Sequence, residues 1–335
     1  MRAVVVRLDS FGDVLLAGPA VRAVAGRADR VTLLCGPRGA PAGRLLPGVD
    51  EVMVWDAPWV GFSPPPVERA GIDRLVDRVA AVGADAALVL TSFHQSPLPA
   101  ALLLRMAGIG HIAADSVDAP GSLLDVRHHR APDAHEARAA LDLAEAAGFP
   151  LPPGDDGRLR VRHAPGAPDL TGPGPYVVVH PGASVAARRW SPERCVQAVR
   201  LLAGAGHRVV VTGGPDEREL TALVAGRDGL DLGGRTEPSD LAAVLAAAGA
   251  VVVGNTGPAH LAAAVGTPIV SLFSPVVPAG RWGPYGVPHV LLGDQRAPCA
   301  DTRARQCPVP GHPCLDEVTA EDVVAAVEKL LEGGA

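Results

Sequence analysis

The sequence predicts an α/β protein made of two doubly wound parallel sheets, each in its own domain. Short β-branched runs alternate along the chain with Ala- and Leu-rich segments of helical length, which is typical of helices layered on parallel sheets. The 335 residues suffice for two domains of ordinary size. A stretch dense in Pro and Gly at 148–175 interrupts the alternation, and it predicts a linker between the two domains.

Composition and charge exclude several classes of protein. Hydrophobic residues make up 48% and charged residues 20% of the chain, so the composition is that of a folded protein. The net charge of −6 argues against nucleic acid as a partner. Arg7 and Asp9 interrupt the first apolar run, which is too short for a signal peptide, and the run at 241–253 is shorter than a membrane span. We therefore expect a cytoplasmic protein with at most peripheral membrane contact.

The elements follow in order from this alternation. In the first half, strands are predicted at 3–8, 31–35, 51–55, 86–90 and 109–112, and helices at 13–26, 67–83, 97–107 and 134–148. After the linker, strands are predicted at 176–180, 208–212, 230–232, 250–253, 268–272 and 288–292, with helices at 191–204, 215–226, 238–248 and 257–265. A final amphipathic helix is predicted at 319–333, with Thr319 as its N-cap.

The first strand leads into an acidic turn. In "VVVRLDSFGDVLLAGPAV" (4–21), the apolar run is followed by Asp9, Ser10, Gly12 and Asp13 before an apolar helix begins. Asp13 has two interpretations: it caps the helix, or it is a base directed into a cleft. Asp9 is the competing base. Ligands bind at the carboxyl ends of strands in such sheets, so the position suits chemistry.

Three strand exits in the second half predict a phosphate-binding cradle. The exits are His180-Pro181-Gly182, Gly213-Gly214-Pro215, and Gly254 followed by Gly257-Pro258. Proline suits the first turn of a helix, and small residues let an anion approach the N–H groups there. The alternative is that Gly and Pro in each turn only end the strand and begin the next element, with no role in binding. Neither the GxGxxG nor the GxxxxGK[ST] pattern occurs, which disfavours a dinucleotide fold and a P-loop.

Five motifs, taken together, resemble glycosyltransferase family 9, the ADP-heptose heptosyltransferase family. They are "RLDSFGDVLLAGPAV", "HPGASVAARRWSPERC", "VVVTGGPDE", "GNTGPAHLAAAVGTPIVSLFSP" and "RWGPYG", in family order over essentially the whole chain. The resemblance implies the GT-B fold, with two Rossmann-like domains facing a cleft. It places an acceptor-binding domain at 1–160, a nucleotide-sugar-binding domain at 161–318, and a last helix at 319–335 packing back towards the first domain.

The resemblance also implies an activity. It predicts inverting transfer of a sugar, with a heptose from ADP-heptose favoured, to a hydroxyl of a glycan or small-molecule acceptor. Neither a cofactor nor a divalent metal is expected. Two alternatives remain open: a nucleotide-sugar 2-epimerase of the same architecture, and a non-catalytic sugar-nucleotide-binding subunit. A pure binding subunit has no use for the Asp13 loop, which speaks against the second alternative.

Site residues follow from the resemblance position by position. Asp13 matches the family's proposed catalytic base. Arg188 stands where a family lysine contacts the donor phosphates, and Asn255 stands where the founding members have aspartate. The predicted donor set is His180, Gly182, Arg188, Gly213, Gly214, Thr236, Asn255, Thr256, Gly257, Pro258 and His260, and the predicted acceptor set is Ser10, Gly12, His94 and His135.

Several of these residues also have a purely structural interpretation. For His94 an ordinary loop histidine is favoured over an acceptor contact, Thr236 is equally a helix cap, and Glu217 is either a base or ribose contact or a first-turn acid. "RHHR" at 127–130 is interpreted as a solvated loop rather than a membrane patch.

The cysteines raise a separate question. Five cysteines without a secretory signal do not suggest a disulfide framework. Cys299, Cys307 and Cys314 cluster near His312, which permits either a zinc site or buried thiols that pin a Pro-rich loop. No CxxC pair is present, so the thiol interpretation is favoured.

Overall fold

The computed structural model describes residues 1–164 and 166–333. The chain divides into two compact units, Met1–Arg160 and Val161–Ala335, and the division falls inside the stretch predicted as a linker. Each unit contains one parallel six-stranded sheet with helices. The predicted α/β class with two doubly wound sheets is confirmed.

The first unit has the strand order β3-β2-β1-β4-β5-β6. Its strands are β1 (Arg2–Arg7), β2 (Arg30–Cys35), β3 (Glu51–Val54), β4 (Ala86–Val89), β5 (His111–Asp115) and β6 (Val126–His128). Its helices are α1 (Phe11–Leu16), α2 (Gly18–Ala25), α3 (Ala40–Leu45), α4 (Arg69–Val82), α5 (Leu98–Met106) and α6 (Glu136–Ala146), with a 3₁₀ turn at Gly121–Leu123.

The second unit has the strand order β12-β11-β10-β7-β8-β9. Its strands are β7 (Val177–His180), β8 (Val209–Val211), β9 (Gly229–Asp231), β10 (Ala250–Gly254), β11 (Ile269–Leu272) and β12 (His289–Leu292). Its helices are α7 (Pro168–Thr171), α8 (Pro192–Gly204), α9 (Arg218–Ala225), α10 (Pro238–Ala246), α11 (Gly257–Ala264), α12 (Ala279–Trp282), α13 (Pro313–Asp316) and α14 (Ala320–Glu332), with 3₁₀ turns at Ala186–Arg188 and Pro215–Glu217.

The central strand of the first sheet is β1, and its residues explain that place. Val4, Val5 and Val6 are fully buried, because parallel sheets are covered on both faces and select continuous β-branched runs. Val5 is in register with Leu33 of β2 on one side and with Leu88 of β4 on the other.

The helix after β1 differs from the prediction of a single helix at 13–26. It begins at Phe11 with Ser10 as N-cap and ends at Leu16, and after Ala17 the second helix, α2, begins at Gly18. Pro19 lies in the first turn of α2. Proline has no N–H to donate and its ring collides with the carbonyl four residues earlier, so a continuous helix cannot pass through it.

Two elements of the first unit were not predicted, and one strand was misplaced. The short helix α3 reads "APAGRL", a sequence with weak helix propensity, and β6 has only 3 residues. Strand β5 ends at Asp115 rather than at residue 112. The missed residues matter, because β5 and β6 carry charged side chains to the carboxyl edge of the sheet.

The last helix packs inside the second unit. Thr319 is its N-cap, as predicted, and its hydroxyl accepts a hydrogen bond from the N–H of Asp322 at 3.1 Å. Its buried side chains, among them Val323 and Val327, belong to the core formed with α8 and with strands β10, β11 and β12. The apolar face of α14 belongs to the core of the second unit; that this helix also packs back towards the first domain, as the resemblance implies, stays a prediction.

Both sheets reverse their winding direction next to their first strand. The chain moves outward through β1, β2 and β3 and then returns to pair β4 beside β1. The second sheet does the same at β7 and β10. Crevices form outside the carboxyl ends of strands at such switch points, so the residues that follow these four strands are the first candidates for a site.

Candidate active site

At the first switch point, Asp13 lies on the opening turn of α1. It is the third residue of that helix, and its Oδ2 accepts hydrogen bonds from the N–H of Ser10 at 3.2 Å and from its hydroxyl at 2.6 Å. The N-cap is therefore Ser10, and Asp13 supports the cap from inside the helix. Its side chain is 20% exposed, so the same carboxylate is open to a ligand.

Arg7 lies beneath this turn, at the end of β1. Its Nη2 donates to Asp13 Oδ1 at 3.2 Å and to the hydroxyl of Ser92 at 2.9 Å. Its Nε lies 3.0 Å from Asp9 Oδ2. One buried guanidinium thus joins both candidate bases. Sequence reasoning assigned it no role, although a charged residue at the carboxyl end of an apolar strand was the available signal.

Burial and the neighbouring charges shift the pKa values of Asp9 and Arg7. Burial, reinforced by the charges of Asp13 and Glu136, raises the pKa of Asp9 to about 6, although Arg7 and the amide of Gln95 act in the opposite direction. Burial alone would lower the pKa of Arg7, but Asp9, Asp13 and Glu136 outweigh it and raise that pKa. The arginine is therefore always charged, whereas Asp9 titrates near neutral pH.

A second ion cluster continues from the first along the sheet edge. Glu136 Oε2 lies 3.8 Å from Arg7 Nη2, and Arg130 Nη1 donates to Glu136 Oε1 at 2.9 Å. Arg130 Nη2 also donates to Asp115 Oδ2 at 2.9 Å, and His128 Nδ1 contacts the same carboxylate. The "RHHR" segment is therefore not the solvated loop that was expected, because it enters β6 and this cluster. This cluster could not be predicted, because the prediction ended β5 too early and did not include β6.

The four predicted acceptor residues differ in their positions and contacts within the first unit. Ser10 contacts Asp13 directly, and Gly12 is buried within α1. His135 is the N-cap of α6, where its Nδ1 accepts from the N–H of Ala137 at 3.2 Å. His94 is exposed in the loop after β4, and its ring packs edge-on against Phe93 with centroids 5.4 Å apart.

At the second switch point, His180 ends β7 and is buried. Its Nδ1 lies 3.0 Å from the hydroxyl of Thr212, and its Nε2 lies 3.9 Å from Glu217 Oε2. Burial lowers the pKa of His180, with Glu217 acting against the shift, so the imidazole is neutral at physiological pH. Glu217 Oε2 also accepts from the N–H of Gly214 at 2.9 Å.

One feature of the predicted cradle needs correction: the N–H of Gly214 is not bare, since Glu217 already binds it. After Gly182 the chain forms the 3₁₀ turn Ala186–Arg188, and α8 starts after Ser191, as predicted. A Cβ on Gly182 would lie 2.0 Å from Glu217 Oε1. Glycine at this position therefore makes room for the Glu217 carboxylate.

Arg188 connects the segments that follow β7 and β10. Its Nη1 donates to the backbone carbonyl of Asn255 at 3.4 Å, and a cavity beside these turns is lined by His180, Pro181, Arg188, Trp190 and Gly254, among others. Thr256 is the N-cap of α11, Gly257 and Pro258 open that helix, and His260 is buried within it.

Asn255, which follows β10, is hydrogen-bonded to a residue that follows the next strand. Its side chain is buried, its Nδ2 donates to the carbonyl of Ser274 at 3.2 Å, and its Oδ1 accepts from the N–H of Ser274 at 3.4 Å. The amide therefore joins the exits of β10 and β11. An aspartate could not donate the first of these bonds.

Thr236 lies in the loop between β9 and α10. It follows β9, the strand at one end of the sheet, and the N-cap of α10 is Glu237 rather than Thr236. The interpretation of Thr236 as a helix cap is therefore wrong.

The three clustered cysteines pack in the second unit. Cys299 and Cys314 are buried in its core, and all five cysteines of the chain are free thiols. Burial, together with the neighbouring Cys299, raises the pKa of Cys314 to about 12. Within residues 1–164 and 166–333, no group of three or more His, Cys, Asp or Glu side chains is arranged to hold a metal ion. In the same part of the chain, no helix has the length and apolar character to cross a membrane.

Comparison with known proteins identifies the family. The family model for glycosyltransferase family 9 (heptosyltransferase) matches residues 72–312. Lipopolysaccharide heptosyltransferase 3 of Escherichia coli is 32% identical over 165 residues, which is 47% of this chain and 47% of that protein. The chain therefore matches about half the length of this relative.

Solved structures match over the whole chain. The ADP-heptose LPS heptosyltransferase II of E. coli has a TM-score of 0.76 at 19% identity, with 100% of this chain and 99% of that chain covered. The E. coli heptosyltransferase WaaC, solved with ADP-2-deoxy-2-fluoro heptose, has a TM-score of 0.71 at 21% identity, with 100% of both chains covered. These likenesses confirm the GT-B fold, and with a family model that covers well over half of its residues, the chain belongs to glycosyltransferase family 9, the heptosyltransferase family.

Proposed function

We propose that this protein is an inverting glycosyltransferase that moves a heptose from ADP-heptose to an acceptor hydroxyl. Its membership of the family and the ADP-heptose analogue bound to a structural relative support the donor. The first unit would bind the acceptor and the second the nucleotide-sugar. The five free thiols favour a reducing compartment, in keeping with a cytoplasmic site of action.

The observation that carries the proposal is the exposure of Asp13. Among the carboxylates around Arg7, Asp13 is 20% exposed, Asp9 11% and Glu136 2%. The pKa of Asp9, about 6, suits a base, but its oxygens face Arg7 and Gln95. An acceptor hydroxyl can therefore reach Asp13 most directly, and we assign the role of general base to it.

The reaction needs a proton acceptor and a stabilised leaving group. In our proposal, Asp13 takes the hydroxyl proton while the acceptor oxygen forms a bond to the anomeric carbon. The bond from that carbon to the diphosphate oxygen breaks, and its electron pair leaves with the diphosphate. A positioned carboxylate contributes about 10²–10⁴-fold in rate. Arg188 and the N–H groups that open α11 would stabilise the departing charge.

The test begins with the donor. Purified protein is screened against ADP-, GDP- and UDP-sugars by thermal shift, since a ligand that binds the folded state raises its stability. We expect the ADP-sugars to stabilise it most. Donor incubated alone should stay intact; isomerisation without acceptor would instead identify the 2-epimerase alternative.

The second step tests the base. We expect Asp13→Asn to abolish transfer and to leave the thermal shift with the donor unchanged. Asp9→Asn is the matched comparison, because it removes the other carboxylate that Arg7 contacts, and we expect it to retain measurable turnover. If Asp13→Asn keeps most of the wild-type turnover, the assignment is wrong.

A further inference from the structure

Arg7 is the point at which the groups around Asp13 converge. It ends the central strand β1 and its side chain is 4% exposed. From there it reaches Asp9 through Nε, and Asp13 and Ser92 through Nη2. Burying a guanidinium this deeply costs free energy unless negative charges lie beside it. Here each neighbouring carboxylate supplies part of that negative charge.

A closed ring of polar contacts fixes Arg7 on one side. Gln95 donates to Asp9 Oδ1 at 2.5 Å, and its own carbonyl oxygen accepts from the N–H of Ser92 at 3.1 Å. Since Ser92 and Asp9 both contact Arg7, the loops after β1 and β4 hold the guanidinium between them. On the other side, Glu136 stands 3.8 Å away and is itself held by Arg130.

We infer that Arg7 is the positioning residue of the reaction: it orients the Asp13 carboxylate and keeps it unprotonated, ready to accept the hydroxyl proton. The inference rests on the proposed function, in which Asp13 is the base. Arg7 contacts Asp13 Oδ1 and Ser10 contacts Oδ2, so both oxygens have fixed directions. Arg7 stays charged throughout the step and transfers no proton itself.

The charges of the surroundings explain why a cation is needed there. Asp9 from the β1 exit, Asp13 from α1 and Glu136 from α6 all face the guanidinium. Carboxylates that share a site without a cation cannot all ionise, and one of them retains a proton. Even beside Arg7, the pKa of Asp9 is about 6. Without that charge, Asp13 would compete for the retained proton and be partly lost as a base at neutral pH.

The other titratable groups near this cluster are secondary to Arg7. Arg130, with Asp115 and His128, lies beyond Glu136. His135 caps α6 next to Glu136, and His94 lies in the loop that carries Gln95. The guanidinium of Arg7 lies 3.2 Å from Asp13 Oδ1.

The experiment compares Arg7→Met and Arg7→Lys with the wild type in steady-state transfer between pH 5 and 9. For Arg7→Met we expect kcat at pH 7 to fall by about 100-fold and the acidic limb of the profile to move upward by about one pH unit. The KM for the donor should change less than about threefold. Arg7→Lys keeps the charge but not the planar fork, so it should recover about tenfold of the lost rate.

Arg22→Met is the matched control, because Arg22 is the other buried arginine that pairs with an aspartate in this unit, at Asp155. It should leave the shape of the pH profile unchanged. If Arg7→Met does not fold, Ser92→Ala removes one support of Arg7 and should lower kcat several-fold with the same upward shift.

Two results would overturn the inference: an acidic limb that stays in place in the Arg7 or Ser92 variants, or no recovery with lysine. The proposed function fails separately, since it is decided by the donor incubation and by Asp13→Asn. A dead Asp13→Asn enzyme beside unshifted Arg7 variants would leave the proposed function standing and remove only the role of Arg7.

Discussion

Arg22 and Asp155 form a buried ion pair that ties the end of the first unit to α2. Arg22 Nε donates to Asp155 Oδ2 at 2.6 Å, Nη2 donates to Oδ1 at 2.9 Å, and the same Nη2 reaches the carbonyl of Arg158 at 2.7 Å. The hydrogen bonds from Arg22 lower the pKa of Asp155 to about 2. A paired fork of this kind is the strongest form of the interaction.

This pair gives the first unit an acid-sensitive contribution to stability. The pKa of Asp155 is about 2 in the folded chain, below the value of about 3.9 for an unpaired aspartate. Its contribution is therefore complete above about pH 4 and is lost as the pH falls towards 2. Asp155→Asn should lower the free energy of unfolding by about 2 kcal/mol at pH 7, with a smaller difference from the wild type at pH 2.

The measurement is urea unfolding at several pH values, followed by hydrogen exchange at the amides of β1 and α6. The surface pair Arg69 and Asp73, four residues apart on α4 and 3.2 Å apart, supplies the control, because exposed pairs contribute little. Asp73→Asn should change stability by less than about 0.5 kcal/mol. A difference for Asp155→Asn that does not shrink with acid would contradict the assignment.

At the scale of elements, the second site depends on how closely the β10 exit approaches the turn that carries Arg188. A Cβ on Gly254 would lie 2.9 Å from the backbone carbonyl oxygen of Arg188. Backbone cannot swing aside as a side-chain tip does, so the two segments would have to separate. The Arg188 contact with Asn255, at 3.4 Å, would be lost in that movement.

We therefore predict that Gly254→Ala weakens donor binding. The affinity for ADP should fall by about tenfold or more, since losing one hydrogen bond from the charged Arg188 to the diphosphate costs about 1.5–3 kcal/mol and every ~1.4 kcal/mol is a tenfold change in affinity. Titration calorimetry with ADP measures it. Gly204→Ala is the matched control, because a Cβ on Gly204 meets no atom within 4 Å. Equal affinities for the two variants would show that the β10 exit tolerates the separation.

Both units of the molecule have the same sheet arrangement. Each sheet places its first strand in the middle and reverses direction beside it, and each puts its candidate functional residues after the strands at that reversal. The first unit gathers charged side chains there, joined by Arg7, while the second gathers glycines, Arg188 and the start of α11. In the proposed function, the first group supplies a base and the second binds an anion, so the same architecture would serve two different chemical tasks.

The position of α14 yields a prediction about the whole chain. A chain ending at residue 318 would lose the part of the second core formed by Val323, Ala326, Val327 and Leu330. Hydrogen exchange should then accelerate in β10, β11 and β12, while the protection of β1 and β4 stays near the wild-type level. Loss of protection mainly in the first sheet would instead support packing of this helix on the first domain.

The regular elements could be predicted because their causes are local. Val4–Val6 and the β-branched runs at 177–179 and 251–253 are buried on both faces, and such runs are visible as continuous apolar letters. Thr319 and Ser191 mark helix starts through their own side chains. The short elements α3 and β6 escaped prediction, because contacts with neighbouring strands rather than local propensity stabilise them.

The two α/β sheets could be predicted from the residues alone, since periodicity and capping are properties of neighbouring residues, and the candidate base Asp13 could be predicted from the family motifs. The contacts between charged side chains could not be predicted in this way, because they depend on the folded chain. The tertiary structure joined Arg7 to Asp9, Asp13 and Ser92, and Arg130 to Glu136 and Asp115. It also gave Asn255 its partner on Ser274. These pairs lie up to 85 residues apart, and parallel pairing of the strands is what brings their carboxyl ends together at one edge.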